Sequence, residues 1–123
     1  MKMLSVDDSA VIRKIIRGAS DVLGYELLEA VNGAEALEVM AQEYENVSLI
    51  LLDWNMPVMN GFDTLKALKQ DSRFKNIPVM MVTTEGEKTN IVESIRAGAK
   101  HYLVKPFTPE DLTARMMDSL GLS

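Results

Sequence analysis

Apolar residues along this chain alternate between two kinds of pattern. Short runs, continuous or of period two, read as strands; stretches with apolar positions three and four apart read as helices. Met3 to Val6 is the first strand run. Tyr25 to Val31 is interrupted by Glu26 and Glu29, so it reads as a half-exposed edge strand. Leu49-Ile50-Leu51-Leu52 and Val79-Met80-Met81-Val82 are continuous, as in strands covered on both faces, and Tyr102-Leu103-Val104 is the fifth run.

Between them, Ile12, Ile15, Ile16, Ala19 and Leu23 repeat at helical spacing. So do Leu37, Met40, Ala41 and Tyr44; Leu65 and Leu68; Ile91, Val92 and Ile95; and Leu112, Met116 and Leu120. Asn32 with Glu35, Asn60 with Asp63, and Thr108 with Asp111 are N-cap pairs, and Pro109 occupies a first helical position. Gly24 and Gly98 follow helical runs as C-terminal signals. The alternation predicts (βα)₅: an α/β, doubly wound, five-stranded parallel sheet with helices on both faces.

Composition narrows this further. The 123 residues, 47% of them hydrophobic, fit one domain over 1–123 with a single packed unit and no attached output domain. There is no cysteine, which excludes disulfides, thiolate metal sites and thiol catalysis and suits a cytoplasmic location. No apolar run approaches the roughly 18 residues of a membrane span, and Asp7 and Asp8 come too early for a signal peptide. The net charge is −5 and the basic residues are scattered, which argues against nucleic acid as a partner. The nine methionines read as core packing.

In an open parallel sheet, ligands bind beyond the carboxyl ends of the strands. Asp7 and Asp8 follow strand 1, Asp53 ends strand 3, Thr83 and Thr84 end strand 4, and Lys105-Pro106 ends strand 5. Strand 2 is followed only by the Asn32-Gly33 turn. Carboxylates gathered on one rim repel, and a hard divalent cation such as Mg²⁺ relieves that repulsion. Lys105 would meet a phosphate as a point charge, Thr83 could hydrogen-bond it, and an Asp carboxylate is a competent nucleophile toward phosphorus.

The segments Val6-Asp7-Asp8-Ser9, Leu52-Asp53-Trp54-Asn55-Met56-Pro57, Met59-Asn60-Gly61, Val82-Thr83 and Val104-Lys105-Pro106-Phe107 resemble the response-regulator receiver family of two-component systems. The resemblance spans essentially the whole chain. Trp54-Asn55, Thr83 with Glu85, and Tyr102 to Thr108 are most similar to the single-domain, CheY-like chemotaxis members. That resemblance implies the flavodoxin-like strand order 2-1-3-4-5, which is carried over from the family and not read from these residues.

It also implies a set of roles. Asp53 is the phosphoacceptor, and Asp8, Asp53 and the Asn55 backbone carbonyl hold Mg²⁺, with Asp7 acting mainly through water. Lys105 contacts the phosphoryl group, Thr83 and Tyr102 form the switch pair, and the Lys105-Pro106 bond is cis. The output face would be helix 4, strand 5 and helix 5. The phosphodonor would be a histidine kinase, the reader a flagellar motor switch protein, with a phosphatase as a further partner and a monomeric chain. Such a protein catalyses its own phosphorylation and dephosphorylation but is expected to be a signalling switch and not an enzyme. Asn55 and Glu85 flank the path of an attacking water, which implies self-dephosphorylation in seconds to minutes.

Other readings attach to the same residues. Asp7 and Asp8 could serve only to cap the first helix. His101 is expected at an exposed position without a role, and Trp54 as a neighbour of the metal. Ser5 interrupts strand 1 where the family is usually apolar, Thr84 is bulky beside the switch threonine, and Ser9 stands where an aromatic is common. An Mg²⁺-dependent phosphohydrolase would need an acid two positions after the nucleophile, where Asn55 stands. A flavodoxin-like FMN carrier would need a neutral phosphate loop where Asp7 and Asp8 stand. A receiver cut from a longer regulator, or a phosphorelay intermediate, shares all the motifs above.

Overall fold

The computed structural model describes residues 1–122. In chain order the elements are β1 (Lys2–Val6), α1 (Ala10–Val22), β2 (Glu26–Ala30), α2 (Gly33–Glu43), a 3₁₀ turn (Tyr44–Asn46), β3 (Val47–Leu52), α3 (Gly61–Gln70), β4 (Val79–Thr83), α4 (Lys88–Arg96), β5 (His101–Val104) and α5 (Pro109–Leu120). The five strands form one parallel sheet in the order β2-β1-β3-β4-β5. This is the flavodoxin-like arrangement that the motif resemblance implies.

The continuous apolar runs divide residue by residue between two cores, because successive side chains on a strand point to opposite faces. Leu4, Val6, Ile50, Leu52, Val79 and Met81 pack on one face with Ala36, Met40, Leu65 and Leu68 from α2 and α3. Met3, Leu49, Leu51, Met80 and Val82 pack on the other with Ile16, Leu112 and Met116 from α1 and α5. Met3, Met40, Met80, Met81 and Met116 are fully buried, so these methionines are core residues. Ser5 is also fully buried, and its hydroxyl has no hydrogen-bond partner, so it is a packing defect in the centre of β1.

Local chemistry sets the ends of the elements. Asn32, Asn60 and Thr108 each accept a hydrogen bond from the N–H three residues on, as their sequence positions predict. Gly24 (φ 81°) and Gly98 (φ 115°) adopt the left-handed conformation after α1 and α4. Strand 3 starts at Val47, two residues before the apolar run suggests, because Ser48 disguises its first turn of the ladder. Tyr44 belongs to the 3₁₀ turn and not to α2. His101 is half-buried, not exposed, because it is already within β5, opposite Met80 of β4.

The loop between β3 and α3 carries a strained residue. Val58 has φ 70° and is 83% exposed, and the Met59 N–H donates to the Pro57 carbonyl across it at 2.7 Å. A β-branched side chain in this region is an outlier that costs on the order of 1–3 kcal/mol. Val58→Gly is therefore expected to raise stability by about 1 kcal/mol, after the entropy cost of glycine is set against the relieved strain. Urea denaturation checks this; an unchanged or lower midpoint would show that the loop tolerates Val58 without strain.

Candidate functional site

The parallel register brings Val6 beside Ala30 and Leu52, Leu52 beside Met81, and Thr83 beside Val104. The residues after those positions therefore share one rim. Backbone bonds continue the alignment past the strands: the Asp7 N–H donates to the Ala30 carbonyl and the Asp53 N–H to the Val6 carbonyl, both at 3.0 Å. The Lys105 N–H donates to the Thr83 carbonyl at 2.8 Å.

Asp7, Asp8 and Asp53 each place a carboxylate oxygen within 4.8 Å of the others. Asp7 and Asp53 are buried and Asp8 is exposed, so the cluster opens to solvent on the Asp8 side. The Lys105 ammonium donates to Asp7 Oδ2 at 2.9 Å and lies 3.5 Å from Asp53 Oδ2. Lys105 thus answers two of the three carboxylates and leaves Asp8 without an ion pair among the described residues. Burial pushes the Asp7 carboxyl above the ordinary carboxylate range; hydrogen bonds from Lys105 and the Ser9 N–H pull it back, and Asp53 pushes it up.

Asp53 Oδ1 is buried and has no hydrogen-bond partner. An orphaned carboxylate oxygen is costly unless something else satisfies it. A hard cation fits, since the donors are all carboxylate oxygens. Asn55 lies exposed two residues after Asp53, in the loop that follows β3. Trp54 is half-buried and stacks on Phe62, with ring centroids 5.1 Å apart.

Gly61 allows this loop to close beneath Asp53. Its N–H donates to the Trp54 carbonyl at 2.8 Å, and a Cβ there would sit 1.9 Å from the Asp53 carbonyl oxygen. The Lys105-Pro106 peptide is cis, as the resemblance implies. The first helix is capped by Ser9, whose hydroxyl accepts from the Ile12 N–H at 3.3 Å. Asp7 instead accepts from the Ser9 N–H at 2.9 Å, which leaves capping of α1 to its neighbour.

Thr83 is fully buried, and its hydroxyl accepts from the Glu85 N–H at 3.2 Å. The Tyr102 hydroxyl donates to the Glu85 carbonyl. Burial, then the charges of Glu85 and Asp53, push the Tyr102 phenol up to about 12, so it remains a donor at ordinary pH. Thr83 and Tyr102 thus grip opposite ends of one residue. The Glu85 carboxylate accepts from the Glu87 N–H at 3.1 Å, at the start of α4. Thr84 is exposed beside Lys105 and Phe107 in an apolar groove.

One participant has no counterpart in the motifs. The Arg13 guanidinium of α1 donates to the Asp7 carbonyl at 2.6 Å and to Glu29 of β2 at 3.0 Å. Nothing in the sequence separates this arginine from an ordinary solvated helix residue.

Residues 3–117 match the family model of the response regulator receiver domain. The chain belongs to that family. This receiver domain is 46% identical to the chemotaxis protein CheY1 of Helicobacter pylori, over 98% of each chain. It superposes on the Vibrio cholerae chemotaxis protein CheY4 with a TM-score of 0.88, at 39% identity, covering 97% of this chain and 98% of that one. A Borrelia burgdorferi CheY, solved in complex with CheX, BeF₃ and Mg²⁺, gives a TM-score of 0.90 at 28% identity, covering 96% of this chain and 87% of that one. The acidic cluster of Asp7, Asp8 and Asp53 fits the cation site of receiver domains. No helix of the described residues is long and apolar enough to cross a membrane.

Proposed function

We propose that this receiver domain is a phosphorylatable chemotaxis switch in which Asp53 accepts a phosphoryl group from a histidine kinase. The observation that carries this is the buried Asp53 carboxylate, with one oxygen unpartnered and the other 3.5 Å from the Lys105 ammonium. One oxygen of the Asp53 carboxylate is the nucleophile. It forms a bond to phosphorus as the P–N bond of the donor phosphohistidine breaks, and the freed imidazole takes up a proton.

Asp7, Asp8, Asp53 and the Asn55 carbonyl would hold Mg²⁺, which when bound neutralises the acidic cluster and the phosphoryl oxygens. Lys105 supplies a second positive charge on the strand-5 side. Its hydrogen bond to Asp7 keeps the ammonium at the rim while leaving Asp53 free to react.

Thr83 turns the product into a signal. Its hydroxyl can leave the Glu85 N–H for a phosphoryl oxygen, and that exchange frees one end of the Glu85 segment. Tyr102 holds the other end through the Glu85 carbonyl. Phosphorylation thereby biases the β4–α4 loop and the α4–β5–α5 face, where Val92, Ile95 and Val104 are exposed apolar residues for a reader. By likeness to the chemotaxis relatives, that reader is a flagellar motor switch protein. By likeness to the Borrelia complex, a CheX-type protein binding the activated form is a further partner.

Trp54 tests the reading as the chain's only tryptophan. Its fluorescence is expected to change on adding Mg²⁺ and again on adding beryllofluoride. A spectrum indifferent to beryllofluoride in the presence of Mg²⁺ would sink the proposal.

A further inference from the structure

Asp7 has every acceptor in use, whereas Asp8 has none. Asp7 Oδ1 takes the Ser9 N–H, Oδ2 takes Lys105, and the backbone carbonyl takes Arg13 at 2.6 Å. The Asp8 carboxylate makes no hydrogen bond or ion pair among the described residues and is exposed. Its position therefore depends on the peptide plane that joins it to Asp7. The oxygen of that plane is the one Arg13 holds.

Arg13 is itself anchored. Its Nε donates to Glu29 at 3.0 Å, and Arg17, one turn on along α1, donates to the other Glu29 oxygen. The Arg13 side chain is only 16% exposed and its bond to the Asp7 carbonyl is partly buried, while the Glu29 end of the pair lies at the surface. Its planar guanidinium spans two acceptors in fixed directions, which a lysine ammonium does not. The chain runs from Glu29 on β2, through Arg13 on α1, to the Asp7–Asp8 peptide at the rim.

We infer that Arg13 is a positioning residue for the cation site: anchored on Glu29, it fixes the Asp7–Asp8 peptide plane and so sets where the Asp8 carboxylate stands. The inference rests on the cation reading given under the proposed function. It makes Glu29 and Arg13 determinants of Mg²⁺ affinity, although neither touches the ion.

Electrostatics and positioning predict opposite signs. Arg13 is a positive charge beside three carboxylates, so its field alone disfavours a cation, and removing it should tighten Mg²⁺ binding. Loss of an outer residue that orients a ligand weakens metal binding, typically about tenfold or more. Arg17 supplies the control: it carries the same charge and bonds the other oxygen of Glu29 but does not reach Asp7.

The experiment is isothermal titration calorimetry of the full chain with MgCl₂, for the wild type, Arg13→Ala, Arg13→Lys and Arg17→Ala. Arg13→Ala is expected to raise the dissociation constant about tenfold. Arg13→Lys keeps the charge and loses the fork, so it should weaken binding by a smaller factor. Arg17→Ala should leave affinity within about twofold, as expected of a screened outer charge. Melting in EDTA, read by circular dichroism, separates lost affinity from lost fold; the Arg13→Lys titration carries the test if Arg13→Ala proves too unstable. Tighter or unchanged binding in both Arg13 variants, beside a wild type that binds, would overturn the inference while leaving the cation reading in place. A wild type that binds no Mg²⁺ would overturn both.

Discussion

Asp53→Asn is expected to abolish the response to beryllofluoride and to acetyl phosphate entirely, while leaving the protein folded and more stable without Mg²⁺. The functional loss follows from removing the proposed nucleophile: an amide oxygen is a poor nucleophile toward phosphorus and cannot yield an acyl phosphate. The stability gain follows from charge. Asp7, Asp8 and Asp53 place carboxylate oxygens within 4.8 Å of one another, and Lys105 reaches only Asp7 and Asp53. Lys105 lies closer to Asp7 than to Asp53, so the substitution does not strand the ammonium. What is removed is one buried negative charge. Relief of that repulsion is expected to contribute on the order of 1–2 kcal/mol.

Trp54 fluorescence and intact-mass spectrometry after acetyl phosphate read the functional half. Urea denaturation in EDTA reads the other. A variant that still gained a phosphoryl mass would move the acceptor to another residue. A variant less stable than the wild type in EDTA would show that Asp53 stabilises the fold through contacts outweighing the repulsion.

The site was legible in the sequence for a topological reason. Once the strands are known to be parallel, everything directly after them shares a rim, so Asp7, Asp53, Thr83 and Lys105 could be placed together without knowing a single distance. The cores were legible for a similar reason: runs such as Leu49 to Leu52 have apolar side chains on both faces, and the sheet separates them into two clusters. The strand order was not in the pattern and came from the family resemblance alone.

What periodicity could not reveal was who touches whom. Ile91, Val92 and Ile95 carry the spacing of a core stripe, yet Val92 is 38% and Ile95 45% exposed, and Ser94 is the residue of α4 that is buried. Apolar spacing identifies a helix face but not whether a layer of protein covers it. The pairing of Lys105 with Asp7, nearer than with Asp53, depends on side-chain reach across three strands. The Arg13 bridge escaped for a different reason: its target is a backbone carbonyl, and a backbone acceptor leaves no mark in the sequence.

Gly61→Ala is expected to destabilise the protein by about 3 kcal/mol or more, a large part of the 5–15 kcal/mol that holds a typical domain folded. The cause is distance and not backbone freedom. An added Cβ would lie 1.9 Å from the Asp53 carbonyl oxygen and 2.8 Å from Trp54 Cα. Both neighbours are backbone, so neither can rotate away, and the segment they belong to is the one that carries the proposed phosphoacceptor. Relief requires α3 to lift from the end of β3. That movement would break the bond from the Gly61 N–H to the Trp54 carbonyl and displace the Asn60 cap, whose side chain holds the Asp63 N–H. The same substitution at Gly18 meets nothing within 4 Å, on an exposed face in the middle of α1. There it should raise stability by about 0.5–1 kcal/mol through helix propensity alone. Urea denaturation of the two variants side by side checks the argument, because it predicts opposite signs for one chemical change. A Gly61→Ala protein with a near wild-type midpoint would mean that the β3–α3 loop yields easily. The close approach of Gly61 to the Asp53 backbone would then not constrain the site.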